Sequence, residues 1–583
     1  MRLLNSILLM SGLVALLTAC GSGSSSKSSD GPLTGFANSQ YSHLTATEST
    51  ICAQTKTGIL KCWGNGESFN FANGNDGIIG DDVADIANGG FPVSQLGDEA
   101  PVYAMANYRN GCALYEGGAL KCWGAKTGVG LSDLSADSSD YVGDTAEELG
   151  NNLPVIDLGT DLTVTSVSLG DSHICAVLNN GRLKCWGNGR NGRLGYGDEA
   201  WRGNDNDEMG DNLPYVDLGT DESDTPYTVK QIAAGYYITC AILNNDQIKC
   251  WGKNNFAQLG YGDLNDRGDG PDEMGNSLPF VDLGTGRSAK QVFAYYQHTC
   301  AILDNDALKC WGGNANGRIG LATEDQLVGN NMPYYTKHLC SNDATLPLYS
   351  ITPEPAGDNC ELGGYYYEYG TDSNGNEVLD SDEIDGGSDY QCNRRDLKNV
   401  YAISSFAANT QPACGSFAGY LLVHDFDSDG DGQLAQGDVN MMGDALPEID
   451  FGSAAAVVDV AQGDYHTCAL LADTALKCWG INDYGQLGLD NTIAEFGSGA
   501  NEIPAAQTEV DLGTGKYAVA IAGAYSFTCA LLNTDEIKCW GYDDDSGTLG
   551  VIEHFKKTIG DGNPEPEMGD ALQTVPVFVE TVQ

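Results

Sequence analysis

Apolar and polar residues alternate over much of this chain in short runs, break at a centre of Asn, Asp or Gly, and then alternate again. That is the period of two β-strands joined by a tight turn. The unit recurs. The segment TCAILNNDQIKCWG at 239–252 returns as ICAQTKTGILKCWG (51–64), GCALYEGGALKCWG (111–124), ICAVLNNGRLKCWG (174–187), TCAILDNDALKCWG (299–312), TCALLADTALKCWG (467–480) and TCALLNTDEIKCWG (528–541). The first cysteines of the seven copies are 60, 63, 65, 60, 168 and 61 residues apart, so one interval is longer by roughly a hundred residues and marks an insertion between repeats five and six. Repeats of this size bury their apolar faces by stacking on one another.

Each copy reads as a hairpin. With Asn245 at the midpoint of the fourth, Cys240 falls opposite Cys250 and Ile242 opposite Ile248. Directly opposed residues bring their β-carbons within disulfide reach. The same offset predicts the bridges Cys52–Cys62, Cys112–Cys122, Cys175–Cys185, Cys240–Cys250, Cys300–Cys310, Cys468–Cys478 and Cys529–Cys539. Zinc would need four ligands at one point, whereas these pairs are spread one to a repeat.

The flanks repeat as well. VKQIAAGYYITCAIL and VVDVAQGDYHTCALL lead into two hairpins, and NGRNGRLGYGD, KNNFAQLGYGD and INDYGQLGLDN follow three of them. These blocks resemble the regulator-of-chromosome-condensation repeat, with its Gly-x-x-His-Thr entry, Trp-Gly and Gly-Gln-Leu-Gly turn, over about 40–330 and 452–583. The resemblance implies an all-β fold: a seven-bladed β-propeller of four-stranded blades, here with a small irregular disulfide- and calcium-stabilised insertion. It further implies closure through the chain ends, for which VPVFVETV at 575–582 is the candidate strand. Two features depart from the family pattern, the cysteines themselves, as in a secreted bacterial branch, and long acidic loops such as YGDEAWRGNDNDEMGDNLPYVDLGT. Loops on a rigid scaffold are where a binding function is expected.

The first residues have the form of an export signal. A short apolar stretch after Arg2 ends in Leu17-Thr18-Ala19-Cys20, which resembles a bacterial lipobox and predicts lipidation of Cys20. The expected organisation is a signal peptide (1–19), a lipidated flexible linker (20–39), blades one to five (40–339), an inserted Cys-rich calcium module (340–441), and blades six and seven with ring closure (442–583). No later segment is long and apolar enough to span a membrane, so the predicted location is the outer membrane or cell surface, through the lipid alone.

Charge narrows the partners. With 81 acidic and 29 basic residues the net charge is −52, which would repel nucleic acid. Some of that charge is arranged for a cation. DSDGDGQLAQGD places Asp427, Asp429, Asp431, Gln433 (by its carbonyl) and Asp438 at the spacing of an EF-hand or dockerin-type loop, with Gly432 at the sharp turn. DSNGNEVLDSDE offers Asp372, Asn374, Asn376, Val378 (by its carbonyl), Asp380 and Glu383 in the same order, although Glu377 stands where the glycine belongs. Calcium is therefore the expected cofactor. Cys340, Cys360, Cys392 and Cys414 lie in the same segment and permit three pairings, of which Cys360–Cys392 is preferred because it brackets the second loop.

Signatures of catalysis are missing. There is no phosphate loop, nucleophile elbow or zincin helix. His173, His298 and His466 recur in one slot and are expected to hydrogen-bond a neighbouring turn, while the repeated tryptophans are expected to pack blade on blade. The lysine before each second cysteine, such as Lys249, is expected to meet the acidic loops. The leading expectation is a non-catalytic scaffold binding protein or glycan on its rim loops. The alternatives are an enzyme with its site in the channel, which requires converging carboxylates, and an inhibitor-like propeller that blocks an extracellular enzyme, as a secreted bacterial member of the family does. Exposed loop aromatics would mark the last, with Trp201, Phe256, Tyr484 and Phe496 as candidates.

Overall fold

The computed structural model describes 39–321 except 48, 67–70, 75–76, 81–84, 86–89, 108, 132–140 and 206. It also describes strands at 327–328, 347–354, 364–371 and 387–392, and then 442–577 except 492, 494, 498–501, 503, 544–546, 551–557 and 563–565. Two compact units result, one from the repeats and one within 332–439.

The repeat unit is the expected propeller, with seven antiparallel sheets in chain order. The fourth blade shows the plan: an inner strand Val229–Ala234, a second strand Ile238–Leu243 and a third strand Ile248–Gly252. Register follows the sequence reading, with Cys240 opposite Cys250 and Ile242 opposite Ile248. The fourth strand is vestigial. It is two residues long in blades two, five, six and seven, and a single bridge such as Gly252 to Arg267 elsewhere. Second strands are buried along their whole length, because each is covered by a blade on either side.

All seven hairpin disulfides are present, with Cα atoms 4.0–4.1 Å apart. The backbone explains why this ladder position suits them. At Cys250 the N–H and C=O turn away from the second strand, to the Tyr261 hydroxyl at 2.8 Å each, leaving the narrow non-hydrogen-bonded pairing beneath the two sulfurs. The Trp-Gly pair that follows has its own cause. Gly252 has φ +107°, and a β-carbon there would lie 2.4 Å from the Tyr237 carbonyl that Lys253 N–H needs.

Inner strands leave a free backbone edge toward the central channel, and side chains from the preceding blade cap it. Ser168 Oγ accepts from Ala234 N–H, the Gln231 amide bridges Val292 N–H and C=O, and Asp459 accepts from Ile521 N–H.

Of the segment expected to close the ring, 575–582, only 575–577 is described, and the rest of that expectation lies outside the described residues. The described part of the terminal segment, 575–577, forms no strand, and every described sheet is built from contiguous sequence. The seam uses the contacts found between other blades: Trp63 Nε1 donates to Thr548 O at 3.1 Å and Lys61 Nζ to Val577 O at 2.8 Å. Val575 and Val577 are buried at this seam.

The second unit is more regular than the sequence suggested. Pro347–Glu354, Gly364–Thr371 and Gly387–Cys392 form a three-stranded antiparallel sheet in that order. The tyrosine run of the middle strand is a strand signal that the acidic flanks obscure.

Candidate functional site

Several blade boundaries are closed by a clasp made from the repeat's signature residues. The carbonyl of Arg193, in the turn after blade three, accepts both the Trp251 indole N–H (3.0 Å) and the Thr239 hydroxyl (2.9 Å) of blade four. His173 Nε2 meets the same threonine at 2.9 Å. Gln258, Arg318 and Gln486 repeat the arrangement with Trp311, Trp479 and Trp540. The tryptophans therefore pack between blades, as expected. The histidines hold a threonine on the next blade's second strand, where a turn contact was expected. Burial keeps His173 and His298 well below the usual imidazole range and pushes His466 down to about 4, so all three are neutral and unsuited to proton transfer.

The blade lysines meet the acidic loops, as expected, and do so through backbone carbonyls. Lys249 Nζ donates to the carbonyls of Leu218 (3.0 Å) and Gly275 (2.7 Å), and burial lowers its pKa to about 8 against the opposing pull of the nearby Asp217. Lys184, Lys309, Lys477 and Lys538 repeat the contact. Much of the acidic-loop charge is engaged at the same place. Asp211 accepts from the Thr160 N–H and hydroxyl, and Asp444 and Asp570 do so from Thr285 and Thr514. These loops fasten one blade to the next, and their carboxylates are correspondingly less free to bind a partner.

A set of half-buried tyrosines, with Tyr525 exposed, lies at one mouth of the channel. The turns joining inner to second strands all open at that end, and they carry Tyr236, Tyr237, Tyr295, Tyr296, Tyr465 and Tyr525. Tyr236, Tyr237 and Tyr296 pack with centroids 4.6, 5.1 and 5.6 Å apart. Arg193 lies over Tyr237 at 4.7 Å and Arg318 over Tyr465 at 5.0 Å. The Tyr295 hydroxyl accepts from Tyr525 N–H at 3.2 Å, so blade five reaches blade seven at this mouth. Beneath lies a cavity of about 340 Å³ lined by inner-strand residues including Thr45, Met105, Ser168, Gln231 and Phe293.

The channel offers no convergent acid pair among the described residues. Asp171 is its one lining carboxylate and faces Arg109 at 3.8 Å. Asp459 and Asp464 nearby are raised to about 6 by burial, the former accepting two backbone N–H groups and the latter bonded to Tyr295. No metal-holding group of His, Cys, Asp or Glu occurs among the described residues.

Of the candidate aromatics, Trp201 and Tyr484 are exposed, at 41% and 39%, with Tyr484 4.4 Å from Tyr542; Phe256 is half-buried, and Phe496 is half-buried against the core. Sequence reasoning missed the mouth tyrosines because they occupy the family's Gly-x-x-His-Thr entry, where they pass for scaffold. Their signal was the variation of those turns from blade to blade. Cys20, Cys340, Cys360, Cys414 and both calcium loops, Asp372 to Glu383 and Asp427 to Asp438, fall outside the described residues. Cys392 ends its strand opposite Gly364.

Comparison with known proteins agrees with the fold. The regulator of chromosome condensation repeat matches 164–193, 229–258, 289–318 and 457–486, each segment running from an inner strand to the turn that supplies the clasp carbonyl. A domain of unknown function, DUF7151, matches 347–392. The chain is 24% identical to the ultraviolet-B receptor UVR8 of Arabidopsis thaliana over 408 residues, 68% of this chain and 80% of that protein. It is 28% identical to the human probable E3 ubiquitin-protein ligase HERC6 over 174 residues, 30% of this chain but only 15% of that protein. Among solved structures, human WBSCR16 is 14% identical with a TM-score of 0.47, covering 88% of this chain and 93% of its own.

Proposed function

The chain is a propeller of regulator of chromosome condensation repeats, and from that premise we propose that it is a non-catalytic protein-binding scaffold whose working surface is the tyrosine-lined mouth. The observation that carries this reading is the contrast between the two kinds of loop. The acidic loops are tied into blade-to-blade clasps, whereas the mouth turns present partly exposed tyrosines on a rigid ring, two of them backed by the buried Arg193 and Arg318. Tyrosine and arginine supply much of the affinity at protein interfaces because they offer large contact area and directional bonds at low entropic cost.

The remaining parts follow from the sequence. Lipid on Cys20 holds the mature chain at the outer membrane or cell surface, the serine- and glycine-rich linker lets the ring reach away from it, and calcium orders the 340–441 module. Seven buried disulfides fit an oxidising compartment. Inhibition of an extracellular enzyme remains a form of the same reading, with Trp201 and Tyr484 enlarging the contact.

Photo-crosslinking on intact cells tests the surface, with the photoreactive residue at Tyr237 or at Asn245 in a hairpin turn at the other end. A discrete protein adduct from position 237 alone is expected. Adducts from Asn245 alone, or from neither, contradict the assignment.

A further inference from the structure

Most described cations of this strongly acidic chain already have partners. Arg202, Lys230, Arg267, Arg287, Lys290 and Lys516 each pair with a carboxylate. The mouth beside blades three to five is different. Arg193 is buried and fixed, with Nε donating to Arg190 O at 2.8 Å and its terminal nitrogen to Ser172 Oγ at 3.1 Å and Tyr236 O at 3.2 Å. Its guanidinium lies over the Tyr237 ring, and Lys253 Nζ lies over the same ring at 5.0 Å. Two cations thus share one aromatic ring. Lys253 is half-buried and Arg190 exposed, and neither side chain has a carboxylate partner. Of the nearby acids, Asp171 lies 3.8 Å from Arg109 and also faces the buried Arg193, and Asp464 is bonded to Tyr295, so neither reaches Arg190 or Lys253.

Resting on the protein-binding reading above, we propose that this arc docks an acidic, extended segment of the partner protein. A carboxylate facing the exposed Arg190 and the half-buried Lys253 would complete the charge that these two leave unbalanced, and neighbouring residues of the segment would lie on the tyrosine rings. The rest of the molecule enforces the choice of site. At a net charge of −52, most of the surface repels such a segment, and screening at physiological salt confines attraction to direct contact with the arc.

Fluorescence anisotropy of the full mature chain with a labelled Glu/Asp-rich dodecapeptide tests this, against its Gln/Asn analogue and a heparin fragment. The acidic peptide should bind about tenfold or more tightly than the amide analogue, and R190E or K253E should each weaken it by about tenfold. R287E, which alters net charge equally at the hairpin end, should leave it unchanged. Equal binding of the two peptides, indifference to the arc substitutions, or preference for heparin would each overturn the proposal. If the acidic peptide fails while Tyr237 still crosslinks a protein on cells, the chemistry assigned to the arc is wrong and the binding reading stands; loss of both removes the reading itself.

Discussion

The buried histidines make acid stability a sensitive probe of the clasp. His466 is fully buried with Nε2 on the Thr528 hydroxyl at 2.8 Å and Nδ1 without a partner, so protonation would place an uncompensated charge between blades six and seven. Its folded-state pKa of about 4 lies below the unfolded value near 6.5, so on acidification the unfolded chain takes up the proton first. The stabilisation is complete above about pH 6.5 and disappears as the pH falls toward 4. At pH 5 the linkage amounts to roughly 2 kcal/mol for this residue. His173 and His298 act in the same direction, because both are held well below the usual range. Asp459 and Asp464, raised to about 6, act oppositely by taking up protons first in the folded state, but they are common to any histidine variants. Phe527 already occupies the slot in blade seven, so the triple variant His173→Phe/His298→Phe/His466→Phe should fold. Guanidinium unfolding of both proteins at pH 7 and pH 5 should show the wild type losing at least about 2 kcal/mol more than the variant. Equal losses would mean that the imidazoles are not buried in the neutral form.

Four further outcomes are expected. Lys249→Met keeps the volume but leaves the Leu218 and Gly275 carbonyls without their donor, which should cost about 2–4 kcal/mol in denaturant unfolding; a change within 0.5 kcal/mol would remove the clasp role. Trp186 Nε1 has no acceptor whereas Trp251 Nε1 has one, so Trp251→Phe should be more destabilising than Trp186→Phe by about 1 kcal/mol, and the reverse order would contradict the assigned bond. Replacing Cys240 and Cys250 together by alanine should lower stability by about 2–3 kcal/mol, read from the unfolding midpoint, with an unchanged value arguing against the bridge. Chelation of calcium should increase proteolysis within 340–441 and leave the blades intact, while identical digestion with and without chelator would argue against the calcium module.

Repetition made the propeller legible. Seven copies of one hairpin gave blade number, strand register and disulfide pairing, because opposed residues are fixed once the turn is located. Their partners across the blade boundary were hidden, since the Lys249 carbonyls, the Arg193 carbonyl shared by Trp251 and Thr239, and the Asp211–Thr160 contact join residues 26 to 58 positions apart through backbone groups that composition does not display. The acidic loops consequently looked like a free binding rim. The contact at the seam was hidden for a related reason: the apolar stretch that begins at 575 reads only as a strand candidate, and its described start supplies a carbonyl to Lys61. The mouth tyrosines, distributed over separate blades, become one surface only when the turns are brought to the same end of the ring.

Hydrogen–deuterium exchange of the full mature chain, alone and with its crosslink-identified partner, tests the central claim most directly. Binding at the mouth predicts protection at 235–237, 295–297 and 464–465, with the hairpin turns at 244–246, 304–306 and 533–535 unchanged. Protection confined to the hairpin turns or to the acidic loops at 203–220 and 268–284 would contradict it.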